Sequence, residues 1–271
     1  MKDILTAILL LLLTKANCQS VAEGLYRQAK TFDSLGNTIK AVEYYTKTIE
    51  VDPKWSNAYF NRGSILAQQK KYTEALSDFK IFDQLSPDDF EVQYLMAACN
   101  YYLGDKSVSF TLVNKSLKRK EPFFDALKLR GTIYLERGEP KEAIEDLNKA
   151  LLIRANDYDI YYMRGFCYEA LNDNTNALNS YLKAEGLGYS NDVVFNNIGN
   201  LFTKQNDFNK ALIYFGKAIN INNKFALAYY NQGIAYDQLG FTESALNSLR
   251  MAKELGFSAF NKRTLEVLNR N

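Results

Sequence analysis

The chain contains no histidine. That absence excludes Ser-His-Asp and Cys-His catalysis and every histidine-ligated metal centre. Cysteine is scarce: Cys18, Cys99 and Cys167 are too few and too scattered for a thiolate-only zinc site. An excess of positive charge is also missing, because 33 Lys and Arg face 31 Asp and Glu. A surface that releases counterions from nucleic acid needs a basic excess, so no nucleic-acid partner is expected. An enzyme built on this sequence would have to work with carboxylates and lysines alone. Pairs such as Asp125 and Glu136 read more simply as solvated charges on a helix surface. Neither a catalytic residue, a cofactor nor a metal is expected.

Long apolar runs are lacking as well. The longest, from Ile4 to Leu13, is about half of the roughly 20 residues that a spanning helix needs. Preceded by Lys2 and followed by Thr14-Lys15 and the small residues around Ala16-Asn17-Cys18, it has the layout of a signal peptide over residues 1–18. Cleavage after Cys18 would place Ala16 and Cys18 three before and one before the cut. The other reading makes Cys18 the lipidated first residue of a bacterial lipoprotein, although Asn17 and Lys15 depart from the small-residue box that lipoproteins show. Either way the mature chain has no transmembrane span, and export to a bacterial periplasm, to the outer membrane or out of the cell is expected.

What the sequence has in abundance is a repeat. From Phe124 to Asp157, Leu127, Gly131 and Tyr134 stand at i, i+4, i+7, and Ala143, Leu147 and Ala150 repeat that spacing, which makes two amphipathic helices. Gly138 closes the first, and Pro140 is preorganised to open the second. The unit is a helical hairpin that cannot bury both faces alone, so it requires neighbours. Steps of 34 residues give starts at Ala22, Ser56, Phe90, Phe124, Tyr158, Asp192 and Ala226, hence seven units over 22–55, 56–89, 90–123, 124–157, 158–191, 192–225 and 226–259. The small residue of the first helix falls at Ala29, Gly63, Ala97, Gly131, Gly165, Gly199 and Gly233, and that of the second at Ala41, Ala75, Ser109, Ala143, Ala177, Ala211 and Ala245. Gly36, Gly104, Gly138, Asn172, Asn206 and Gly240 occupy the turn, where positive φ is needed, and only Lys70 breaks the rule. The third unit departs furthest, with Gln93, Asn100 and Ser109 at core places. Cys99 and Cys167 share one place two units apart, beyond disulfide reach, and read as small core residues. Beyond residue 259, Phe260, Leu265 and Leu268 among charged neighbours predict a capping helix over 260–271.

This pattern resembles the tetratricopeptide repeat over roughly residues 22–259. The resemblance implies an all-α fold, a right-handed superhelical α-solenoid of antiparallel helix pairs, with the first helices lining a concave groove. It further implies a non-enzymatic scaffold that binds a protein or an extended peptide in that groove. A glycan- or small-molecule-binding module using the groove's tyrosines is the alternative. The fifth place of each unit carries Tyr26, Phe60, Tyr94, Lys128, Tyr162, Asn196 and Tyr230, a stripe suited to stacking or to packing. Two clusters stand out as candidate contacts: Asn196, Asn200 and Asn231, with Asn197 at their edge, as a clamp for peptide backbone, and Phe166, Tyr162, Tyr101, Tyr102 and Tyr94 as an apolar patch. Of the family's clamp for a C-terminal carboxylate only Asn61 matches; Lys30, Tyr26 and Leu95 stand where asparagine, lysine and arginine would, so no such clamp is expected.

Overall fold

In the computed structural model the backbone is described for residues 2–120 and 122–269, and side chains from residue 18 onward within those limits. The signal segment therefore falls largely on side chains outside the described residues. Its backbone continues into the first helix, where Cys18 is exposed. Fifteen helices and no strand occur among the described residues. The chain divides into two compact units, Met1–Ile133 and Tyr134–Asn271.

The first unit holds α1 (Lys2–Ser34), α2 (Thr38–Val51), α3 (Ser56–Gln68), α4 (Tyr72–Leu85), α5 (Phe90–Tyr102), α6 (Lys106–Arg119) and most of α7 (Phe124–Glu136). α1 packs on α2, α3 on α4 and α5 on α6, and α2–α3 and α4–α5 contacts join the pairs. The second unit holds α8 (Pro140–Ile153), α9 (Tyr158–Ala170), α10 (Asn174–Gly186), α11 (Asp192–Lys204), α12 (Phe208–Ile221), α13 (Ala226–Gln238), α14 (Thr242–Glu254) and α15 (Lys262–Leu268). There α9–α10, α11–α12 and α13–α14 are the tight pairs, and α8–α9, α10–α11 and α12–α13 join them. The helices α3, α5, α7, α9, α11 and α13 begin at Ser56, Phe90, Phe124, Tyr158, Asp192 and Ala226, a constant 34 residues apart.

Each pair is held by a small residue on its first helix that lets a large one from the second come close. A Cβ added to Gly63 would lie 2.9 Å from the Phe79 ring, and one added to Gly165 would lie 2.4 Å from Tyr181. At Gly199 it would meet Phe215 at 2.5 Å, and at Gly233 it would meet Leu249 at 2.7 Å. All four large residues are fully buried. Burying one such side chain contributes roughly 1.5–3 kcal/mol, so the close approach is the main local source of stability. Four of the second helices are closed at their N-termini in the same way. Asn37, Asp105, Asp173 and Asp207 cap the second helices by accepting a hydrogen bond from the backbone N–H three residues on. The turn before them is left-handed at Lys70 (φ 61°) just as at Gly104 (φ 90°) and Asn172 (φ 58°), so Lys70 departs from the pattern in chemistry but not in backbone. A lysine held there carries about 1–2 kcal/mol of strain.

The third hairpin is the least well satisfied. Gln93 is fully buried and donates from Nε2 to Asp83 Oδ1 at 2.5 Å, but its Oε1 has no partner. Ser109 is fully buried where the other units carry alanine, and its hydroxyl is unpartnered too. Asn100 turns its amide back onto Met96 O at 2.8 Å. The terminal helix differs from expectation. Thr264 and Val267 are its buried residues, Leu268 is half-buried, and Leu265 is 46% exposed. The face is set by the i, i+3, i+4 spacing of 264, 267 and 268, to which 265 does not belong. Val267 joins Ala245 and Leu249 in one cluster with Tyr230, Tyr236 and Phe260 against it, and Arg263 clasps Asp237 through Nε and Nη2 at 2.8 and 3.0 Å.

Three stability outcomes follow from this packing. Gly165→Ala lowers the unfolding free energy by about 1–3 kcal/mol, because the Tyr181 ring must move. Gly216→Ala, in α12 with open space around it, raises stability by up to about 1 kcal/mol through helix propensity. A Gly165→Ala protein as stable as wild type in urea denaturation would remove the close-approach account. Ser109→Ala takes away a buried hydroxyl without a partner and raises stability by about 1 kcal/mol, visible as a higher Tm by calorimetry.

Candidate functional site

The fifth-place rings are largely committed to packing. Tyr26 lies against Tyr45 and Trp55, with centroids 5.7 and 5.4 Å away, and its hydroxyl accepts from Asn61 Nδ2 at 2.9 Å. Phe60 meets Phe79 and Phe82, Tyr94 meets Phe123, and Tyr162 stacks on Tyr189 at 5.0 Å. Tyr230 stacks on Phe257 at 4.3 Å and meets Phe260 edge-on. Every one of these rings is half-buried. Burial is the leading cause that raises the hydroxyl pKa of Tyr26, Tyr94 and Tyr162. At Tyr26, Tyr94, Tyr162 and Tyr230 the stripe thus fastens the first helix to the chain following its own hairpin, whereas Phe60 packs on the second helix of its own hairpin.

What remains open is a cleft in the first unit. Between α5 and α7, Tyr94, Ala98, Tyr101 and Tyr102 face Asp125, Lys128, Leu129 and Thr132 across a space of about 390 Å³. Tyr102 is 63% exposed and stacks on Tyr72 at 4.7 Å, which fixes its ring without burying it. Tyr94, Tyr101 and Tyr102 are brought together as expected, and Lys128 joins them with Asp125. A cleft with rings on one side and both charges on the other suits a chain segment with an apolar side chain and a polar backbone. Phe166 and Tyr162 belong to the second unit, where Phe166 is 46% exposed.

The asparagine cluster is partly internal. Asn231 Nδ2 donates to Asn196 Oδ1 at 2.9 Å, and Asn196 is only 2% exposed. Asn200 is half-buried one turn further along α11. Asn197 donates to Glu169 Oε2 at 3.1 Å, and that oxygen also accepts from Tyr181 at 2.6 Å. These amides therefore join neighbouring hairpins, and Asn196 stands behind the surface rather than on it. The sequence reading missed the acidic partners, Glu169 here and Glu185, which accepts from Tyr214 at 2.8 Å and Lys217 at 2.6 Å. Their signal lay in partners about 30 residues apart, close to one repeat, rather than in any local motif. Cys99 and Cys167 are buried, and burial pushes their thiols up to about 11 and about 12, far from a reactive thiolate. No group of residues able to hold a metal ion occurs among the described residues, and none of the described helices is long and apolar enough to cross a membrane.

Comparison with known proteins gives the same picture. Family models described as tetratricopeptide repeat match residues 26–90 and 128–190, and another matches residues 194–225. DnaJ homolog subfamily C member 3 of Homo sapiens is 27% identical over 163 residues, which cover 55% of this chain and 32% of that protein. BBSome complex member bbs-4 of Caenorhabditis elegans is 26% identical over 230 residues, covering 82% of this chain and 50% of that one. The chain thus spans about a third to a half of the length of these relatives. Among solved structures, the C-terminal part of a TPR repeat-containing protein from Cytophaga hutchinsonii superposes with a TM-score of 0.67 at 16% identity, covering 90% of this chain and 100% of that one. YrrB, described as a TPR protein with an unusual peptide-binding site, gives 0.60 at 22% identity over 69% of this chain and 97% of its own. At these identities the likeness to structures shows the fold. Such repeats are typically non-enzymatic scaffolds for contacts between proteins. With helices paired in tandem at a 34-residue spacing and repeat models matching more than half of its length, the chain belongs to the tetratricopeptide repeat family.

Proposed function

We propose that this protein is a non-enzymatic scaffold that binds a protein through an extended segment laid against its first helices, with the α5–α7 cleft as the central contact. The observation that carries the reading is the cleft itself: an open space between two first helices, lined by rings already oriented by their neighbours. Rings held in place lose little entropy on binding, which is what makes aromatic side chains frequent binding anchors. The asparagines take a lesser part, since the Asn196–Asn231 bond already uses one amide of each. The absence of histidine and the absence of a metal-holding group among the described residues leave a binding role as the simplest use of the groove. The N-terminal apolar run supports export, and an address in a bacterial envelope is part of the same proposal.

Selection of random peptides on the full chain tests the site. In a variant with Ala98→Gln and Tyr102→Ala, which narrows the cleft and removes its exposed ring, the selected peptides bind at least about tenfold more weakly at unchanged Tm. Undiminished binding to that variant, or selection of no peptide while oligosaccharides raise the Tm, would remove the proposal; the second outcome would favour the glycan reading. Intact mass of the mature chain from the native host tests export. It begins at Gln19 if a plain signal peptide is removed, and a lipid mass on Cys18 marks the lipoprotein instead. A retained Met1 would overturn both.

A further inference from the structure

A cation without a partner sits in the fifth hairpin. Arg164, in α9, lies between the rings of Tyr161 and Tyr168, its guanidinium carbon 5.6 and 5.7 Å from their centroids. Its Nε is buried and has no hydrogen-bond partner, and no carboxylate reaches the guanidinium among the described residues. An arginine half out of water with its fork unused is unusual, since an unpaired buried donor of a charged group costs more than a neutral one.

The repeat shows what is missing. Three steps of 34 earlier, the same place is Arg62, which holds Asp78 with both arms of its fork, Nε to Oδ2 at 2.8 Å and Nη2 to Oδ1 at 2.7 Å, and gives a third bond to Thr46. Two steps later, the same pair of places carries Gln232 and Ser248, which are neutral and bonded to each other at 3.0 Å. In both hairpins the residue of the first helix matches that of the second. In the fifth it does not: the first helix keeps the arginine, and the place of Asp78 is taken by Ser180. The surroundings change in step. At Arg62 a space of about 350 Å³ is lined by Glu74 and Asp78, and the corresponding places near Arg164 are Asn176 and Ser180. Glu169, five residues on along α9, is held by Tyr181 and Asn197. Positive charge is therefore left without the Glu74 and Asp78 counterparts that accompany it three repeats earlier.

We propose that Arg164 is a carboxylate-binding point, taking the side chain of an aspartate or glutamate from a partner peptide in the position that Asp78 occupies on Arg62. The planar fork fits a carboxylate bidentately, and the Tyr161 and Tyr168 rings hold it in one orientation. Arg164 lies two residues from both Tyr162 and Phe166, roughly 200° round the helix axis. The point thus faces away from the groove-side residues and offers a second contact, independent of the α5–α7 cleft.

The full chain labelled with nitrogen-15 in arginine gives a direct readout, the Nε–H signal of Arg164, assigned by its loss in Arg164→Lys. Titration at constant ionic strength uses a blocked Ala-Glu-Ala peptide, its Ala-Gln-Ala counterpart, sodium acetate and sodium chloride. The glutamate peptide and acetate shift the signal, whereas the glutamine peptide and chloride leave it in place. A larger shift at equal concentration with the peptide assigns the site to acidic side chains, and equality assigns it to carboxylates of either source. In Ser180→Asp the internal pair forms, the Tm rises, and the response falls by about tenfold or more. No response of wild type to the glutamate peptide or acetate, or an equal response in Ser180→Asp, would overturn the proposal. Both readouts are independent of the cleft variant, so this site and the groove stand or fall separately.

Discussion

Everything in this protein depends on one close approach, a small residue on the first helix of a hairpin lying under a large one on the second. Gly165 against Tyr181 and Gly199 against Phe215 show its limit, because in each the missing methyl is the space that the ring fills. Once two helices are that near, their outer faces are still apolar, and only another hairpin can cover them. The order of the chain follows from that need, with α2 on α3 and α4 on α5 in the first unit, and α10 on α11 and α12 on α13 in the second. After the seventh hairpin, α15 brings Val267 against Ala245 and Leu249.

Features decided within one hairpin were legible in the sequence. Helix starts at Ser56, Phe90 and Asp192 follow from periodicity, and the left-handed turn follows from glycine or asparagine. Lys70 shows why even the exception kept its shape, since the packed helices on either side outweigh a strain of about 1–2 kcal/mol. Features decided between hairpins were harder to read. Asn196 was expected at the surface, yet Asn231 reaches it from 35 residues away and it is buried. Tyr162 was equally suited to a ligand or to a neighbour, and the choice depended on Tyr189, in the connection after α10, which periodicity does not place. On α15 the sequence pointed to Leu265, but the register of a seven-residue helix turned Val267 inward.

The aromatic pairs also explain how a chain so rich in tyrosine and phenylalanine keeps its fifth-place rings partly covered. Were the fifth-place rings free, each would add apolar surface open to self-association. Tied to Trp55, Phe123, Tyr189 and Phe257, they instead present edges and half-faces while their bulk stabilises the joint between hairpins. The rings that stay open to solvent are others, among them Tyr102 and Phe241, with Phe166 and Tyr158 close to half exposed.

A repeating fold also separates substitutions that merely weaken it from those that equip it. Ser109 replaces an alanine, so the core gains a neutral hydroxyl that nothing needs and nothing meets. Its effect is confined to stability, because an isolated hydroxyl has little power to attract a partner. Ser180 stands where Asp78 stands in the second hairpin, and what it leaves behind is a whole charge on Arg164. A cation held between two rings and short of an anion remains attractive to any carboxylate that arrives, and its field extends beyond contact. The same residue type, serine, is thus inert at one place and enabling at the other, and the difference lies entirely in the neighbour that the repeat had already positioned.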